Sequence, residues 1–243
     1  MLVVAACGAT TAIAQGPPQQ AAFAEVFKAP TPAESLEVPI ATKLADRLGK
    51  VWHASADRTC VAEKKLDAAS YAKLARAMLI AFGEHMQALA ASALDPKKAD
   101  ADFEANAGAG AIRDVKRLAS DPKVMAFLKL WRLGQSVEQT SSFLDNIERA
   151  LLLARIQTQA KASPVATGDD PELLIELETI AGAPLEYFDA NQSPEMTRFF
   201  ELMIAAGDAL TSASNQDALL AWGPGKLLPL LEPALKEHCI AKP

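Results

Sequence analysis

Most of the chain follows a helical pattern of apolar and polar residues. From about residue 35 onward, apolar side chains recur at steps of three and four, which places them on one face of a helix. The clearest stripe follows Asp67 and consists of Tyr71, Leu74, Met78, Phe82, Met86 and Leu89. No run of alternating β-branched residues lies between hairpin turns, so the pattern predicts helices without a sheet.

Proline and glycine mark where these helices begin and end. Four predicted starts combine a capping side chain with a proline at the first helical position: Asp95-Pro96, Asp121-Pro122, Asp170-Pro171 and Ser193-Pro194. Interruptions are expected at Ala107-Gly108-Ala109-Gly110 and at Gly134. Residues 136–160 form the most apolar segment and are expected at the centre. The sequence therefore predicts an all-α protein, an irregular or orthogonal bundle of about seven to nine helices.

The first 34 residues differ from the rest. Residues 1–14 are uncharged, small and apolar, and they end in Ala12-Ile13-Ala14, the small residues that a signal peptidase recognises. We therefore predict a signal peptide over residues 1–14, cleaved after Ala14, whose usual basic start is expected upstream of Met1. Residues 15–34 are rich in Pro, Gln and Ala and predict a flexible leader. Residues 35–243 are then expected to form a single helical domain in the periplasm or outside the cell.

The same terminal segment has two other interpretations. Val4-Ala5-Ala6-Cys7-Gly8 resembles a bacterial lipobox, in which Cys7 would be lipidated and would tether an envelope lipoprotein to the membrane. An ordinary apolar helix at the amino terminus is the third interpretation. No stretch of the chain reaches the roughly 18–20 apolar residues of a transmembrane helix, so no span is predicted after cleavage.

Charge and aromatic content exclude some classes of partner. The formal net charge is -6, and Lys and Arg form no concentrated run, which argues against a nucleic-acid partner. Aromatic residues make up 6% of the chain, too few to suggest a surface on which bases or sugars stack.

Two cysteines remain after the predicted cleavage. Cys60 and Cys239 are expected to form a disulfide, because two cysteines in an oxidising compartment usually pair. Two free, buried thiols are the alternative. The sequence contains no CxxC or CxxCH motif, so it supports neither a thioredoxin-type redox site nor a conventional c-type haem attachment.

Two histidines fall on apolar helix faces. His85 lies within the stripe of Phe82 and Leu89, and His238 lies beside Leu235, so both could meet inside the bundle and bind zinc or copper. Buried, hydrogen-bonded neutral histidines are the other interpretation. Neither HExxH nor paired ExxH motifs occur, so a zinc protease or a di-iron bundle is unsupported and no cofactor is predicted.

The functional expectation follows from these absences. The sequence has no Gly-x-Ser-x-Gly elbow and no complete phosphate-binding loop. We therefore expect a non-catalytic exported protein that binds a protein partner or an apolar ligand through a groove between helices. Aromatic stripes such as the one with Phe127 and Trp131 either line a pocket or form core. The alternatives are a metal-binding protein or metal-dependent enzyme using His85 and His238, and a structural envelope protein anchored through Cys7.

Overall fold

The computed structural model describes residues 20–28, 43, 47, 68–158 and 171–217 of the chain. Across these residues the structure contains seven defined helices and no strand. In chain order the helices are α1 (Ala24–Phe27), α2 (Ala68–Ala93), α3 (Pro96–Ala107), α4 (Ala111–Leu118), α5 (Pro122–Thr158), α6 (Pro171–Ala190) and α7 (Pro194–Ala213). The protein is therefore all-α, as the sequence predicts.

The predicted helix starts are formed by side-chain caps. The Asp95 carboxylate accepts a hydrogen bond from the backbone N–H of Lys97 at 3.1 Å, and the Ser193 hydroxyl accepts one from Met196, also at 3.1 Å. Asp121 caps α5 in the same way. In each case a proline without an N–H occupies the first helical position, where no intrahelical donor is needed. α6 likewise begins at its predicted proline.

A hydrophobic core joins α1, α3, α4, α7 and the first part of α5. Phe127 on α5 is 1% exposed and lies near the centre of this core. Its ring centroid is 6.4 Å from those of Phe188, Phe199 and Phe200, each in an edge-on arrangement. Edge-on contacts of this kind add stabilisation beyond the burial of apolar area.

Helices α3 and α7 are joined along their length although they are far apart in the sequence. Lys98 Nζ donates to the Ser212 carbonyl at 2.5 Å, and the Ser212 hydroxyl donates to Asp102 Oδ2 at 3.0 Å. Leu94 and Ser214, just outside the two helices, form an isolated antiparallel bridge. The two helices therefore close a long loop of chain.

Part of the predicted flexible leader packs against the core. Residues Gln20–Lys28, which we call the docked segment, contain the short helix α1, and Ala21, Phe23 and Phe27 are buried. The proline content predicts a spacer here, but apolar burial by these three residues overrides that local preference. The rest of the leader, residues 15–19 and 29–34, lies outside the described residues.

Gly134 does not interrupt its helix. α5 continues through it over 37 residues. A Cβ at Gly134 would lie 3.7 Å from both the Ala181 Cα and the Ile180 carbonyl oxygen, so the missing side chain lets α5 approach α6 closely. Pro184 inside α6 has no N–H, so the Ile180 carbonyl lacks the hydrogen bond that a residue four positions later normally donates. This carbonyl oxygen is one of the atoms that α5 approaches at Gly134.

Glu104 closes the turn between α3 and α4. Its carboxylate accepts hydrogen bonds from the backbone N–H groups of Gly110 at 2.5 Å and Ile112 at 3.0 Å. Gly108 and Gly110 supply the positive φ angles of 98° and 84° that the predicted interruption requires. The hydrogen bond from Ile112 is the largest cause that lowers the pKa of Glu104 below its ordinary value of 4.5, and burial opposes it.

Replacing Glu104 with glutamine is expected to lower the free energy of unfolding by about 1–2 kcal/mol at pH 7, because the charged cap of α4 is lost. Since folding lowers the pKa of Glu104, its contribution is complete above the unfolded-state value near 4.5 and is lost as the pH falls below it. The difference between wild type and variant in urea unfolding should therefore shrink from pH 6 to pH 4. Glu138→Gln, at an exposed site on α5, is the control and should change little at either pH.

Candidate binding surface

Of the residues with a predicted chemical role, His85 alone lies within the described residues. It is half-buried on α2. Cys7, Cys60, His238 and Cys239 lie outside them, so the disulfide, the lipid attachment and the paired-histidine site stay predictions. Within the described ranges, no three His, Cys, Asp or Glu residues come close enough together to hold a metal ion.

Two buried hydroxyl groups on α5 bond to their own helix. Ser136 and Thr140 are both 0% exposed. Ser136 Oγ donates to the Arg132 carbonyl at 2.9 Å, and Thr140 Oγ1 donates to the Ser136 carbonyl at 2.7 Å. Hydrogen bonds to the preceding turn are the usual way in which a helix accommodates a buried hydroxyl. Ser136 and Thr140 therefore belong to the packed interior of the protein.

The residues of the aromatic stripes also lie mainly in the protein interior. Phe127 belongs to the core, and Trp131 is half-buried with its ring edge-on to Phe27 at 6.2 Å. On α2, the Phe82 ring stacks on Phe143 of α5 with centroids 4.0 Å apart. These side chains fill space between helices.

Helix α6 carries large apolar side chains on its outer surface. Leu174, Ile175 and Leu185 are 40%, 64% and 59% exposed. Leu174 and Leu185 lie about three turns apart and point to nearly the same side, and Ile175 is about 100° further round the helix. Leu173 and Leu177 form the buried side, which is rotated away from this surface.

The charge of α6 is entirely negative. The helix contains no Lys, Arg or His and has five carboxylates, namely Glu172, Glu176, Glu178, Glu186 and Asp189. Glu176 pairs with Lys43. At about 100° per residue, Glu178 and Glu186 fall on the side of the exposed apolar residues, and both are exposed. We define the α6 face as Leu174, Ile175, Glu178, Leu185 and Glu186.

Sequence reasoning did not find this surface. The sequence predicts a short helix from Pro171 that contains Leu173, Leu174, Leu177 and Ile180, and this pattern does not show that Leu174 is exposed whereas Leu173 and Leu177 are buried. The available signal was the spacing: Leu173 and Leu177 are one turn apart, and Leu174 and Leu185 repeat the same register one residue later. A helix with two apolar registers needs two apolar environments.

Comparisons of the chain with protein-family models, curated proteins and solved structures give no match. None of the helices in the described ranges has the length and apolar character needed to cross a membrane.

Proposed function

We propose that this protein is a non-catalytic, exported binding protein that docks a protein partner on the α6 face. The observation that carries the proposal is the exposure of Leu174, Ile175 and Leu185 on one helix. Large apolar side chains grouped on a surface and bordered by charged groups are typical of protein interaction sites.

The shape of the site favours a protein over a small molecule. Small-molecule sites are concave and bury most of the ligand surface. The α6 face is the outer surface of a helix, with its apolar side chains 40–64% exposed. A second surface laid against it can cover these side chains together.

The charge of the site indicates the chemistry of the partner. Glu178 and Glu186 lie beside the apolar residues, and no positive charge on α6 balances them. Opposite charge on the partner speeds association and disfavours wrong partners. The expected partner therefore presents apolar side chains flanked by Lys or Arg, as a basic amphipathic helix does.

The location proposed for this binding is the periplasm or the cell exterior. Residues 1–14 with Ala12-Ile13-Ala14 support export by a cleaved signal peptide. If Cys7 is lipidated instead, the same α6 face would work at a membrane surface, tethered through the residues that follow Cys7. The mass of the protein from its host's envelope distinguishes a chain that starts at Gln15 from one that starts at an acylated Cys7.

The α6 face can be tested with a defined probe, a fluorescein-labelled amphipathic peptide of about 18 leucine and lysine residues. Fluorescence anisotropy should show that Ile175→Ser/Leu185→Ser binds the peptide roughly tenfold more weakly than wild type, because the apolar contact is lost. Glu178→Lys/Glu186→Lys should also weaken binding and reduce its dependence on salt.

A matched control separates the α6 face from general apolar exposure. Ile204 on α7 is 54% exposed, so Ile204→Ser removes a similar side chain elsewhere and should leave the affinity unchanged. Equal affinity of wild type and the Ile175/Leu185 variant would rule out the α6 face. Equal binding of a leucine–glutamate peptide would rule out the proposed charge preference.

A further inference from the structure

The docked segment lies against three helices and is held through two phenylalanines. Phe23 is fully buried and stacks on Phe103 of α3, with centroids 4.3 Å apart. Phe27 is 6% exposed, and its ring is 5.5 Å from that of Phe199 on α7 and 6.2 Å from that of Trp131 on α5. The two rings are one helical turn apart, so a single turn presents both to the groove between α3, α5 and α7.

Side chains of the groove bind the backbone of the segment just before its helix and in the last turn of the helix. The Ala22 N–H donates to both carboxylate oxygens of Asp100, at 2.9 and 3.2 Å. Arg132 Nη2 donates to the Val26 carbonyl at 2.6 Å. Contacts to the backbone do not depend on which side chains lie between the two phenylalanines. The recognised feature is therefore a helical turn of the form Phe-x-x-x-Phe, in which Ala24 and Val26 between the two rings also pack partly against the core.

The docked segment does not use all the hydrogen-bonding capacity of the groove. Arg132 Nε is buried and has no acceptor in the part of the chain that the structure describes. Buried donors without acceptors are uncommon in protein interiors. A ligand that offers one more acceptor near Arg132 would satisfy the groove better than the docked segment does.

We propose that the groove between α3, α5 and α7 is a peptide-recognition site, which the docked segment fills in cis and a partner's Phe-x-x-x-Phe turn fills in trans. α1 has four residues, too few to form a stable helix without its groove. The tethered segment competes at a high effective concentration, which sets a threshold that the partner segment must exceed. This site is separate from the α6 face.

The test uses the full chain, folded first and then cut. A recognition sequence for a site-specific protease is inserted between Pro30 and Thr31, and cleavage turns the docked segment into a separate peptide. A fluorescein-labelled peptide of residues 20–28 should then exchange into the groove while the helical circular dichroism of the protein is retained. The uncut chain should bind the peptide much more weakly, because its own segment fills the groove.

One altered peptide and one altered protein test whether the groove recognises the phenylalanines and the backbone of the segment. A peptide with both phenylalanines replaced by alanine should bind about a hundredfold more weakly or worse, since most of the buried area is lost. Asp100→Asn in the cut protein should weaken binding about tenfold, because the charged acceptor for the Ala22 N–H is gone. Unchanged affinity for the alanine peptide would overturn the proposal.

The remaining outcomes also decide the question. Loss of helical signal when the cut segment leaves would show that the segment is an integral part of the fold, and the proposal would fail. A folded, cut protein that exchanges no labelled peptide over several days, at peptide concentrations up to about 1 mM, would overturn it as well. Exchange with retained fold and dependence on both phenylalanines is the supporting result.

Discussion

Phe199→Ala is expected to lower the free energy of unfolding by about 3–5 kcal/mol, the usual cost of removing a buried phenylalanine ring. Phe199 is 0% exposed, and its ring lies 5.5 Å from Phe27 and 6.4 Å from Phe127. Its loss would open a cavity where α1, α5 and α7 meet. Urea unfolding followed by circular dichroism measures the effect.

Ile204→Ala on the same helix is the control for this experiment. Ile204 is 54% exposed, so its truncation should cost less than about 0.5 kcal/mol, while both changes act on the same α7 backbone. Similar losses for the two variants would mean that α7 does not present Phe199 to the core.

Gly134→Leu is expected to lower the free energy of unfolding by about 1–3 kcal/mol, the usual effect of excess volume in a packed interior. A Cβ at this position already lies within 3.8 Å of three backbone atoms of α6. Any larger side chain must therefore separate α5 from α6. Thermal and urea unfolding of the purified variant would measure the loss.

Gly134→Ala should have the opposite sign. The Cβ would meet its neighbours at 3.7–3.8 Å, an ordinary contact distance, and alanine favours the helix by about 0.5–1 kcal/mol over glycine. Gly207 on α7 has no atom within 4 Å of a built Cβ, so both Gly207→Ala and Gly207→Leu should stabilise. A stabilising Gly134→Leu would contradict the close approach of α5 and α6.

The helix starts and the fold class could be predicted because they depend on local chemistry. Asp95, Asp121 and Ser193 cap their helices through contacts within three residues, and a following proline is visible in the sequence. Gly134 gave a wrong prediction because a glycine inside a helix has two meanings, a break or a close contact. The difference depends on α6, which lies far away in the sequence.

The burial of the docked segment, and which of the two apolar registers of α6 is exposed, could not be predicted for the same reason. Proline content near Phe23 indicates a spacer, but the Phe103 ring that buries Phe23 comes from a distant helix. Leu174 and Leu173 are neighbours with the same hydropathy, and only the position of α5 decides which one is covered. The local pattern of apolar residues predicts the helices, whereas the exposure of each side chain depends on how the helices pack together.

The pairing of α3 with α7 has a consequence for synthesis of the protein on the ribosome. Ser212 and Asp102, which join the two helices, are 110 residues apart in the chain. Because the nascent chain emerges from its amino terminus, α3 must wait for nearly the whole described sequence before it meets α7. Contacts of such long range form late and slow the folding reaction. The contacts that join α3 to α7 therefore form only after α7 has been synthesised, and until then α3 lacks the helix that packs along it.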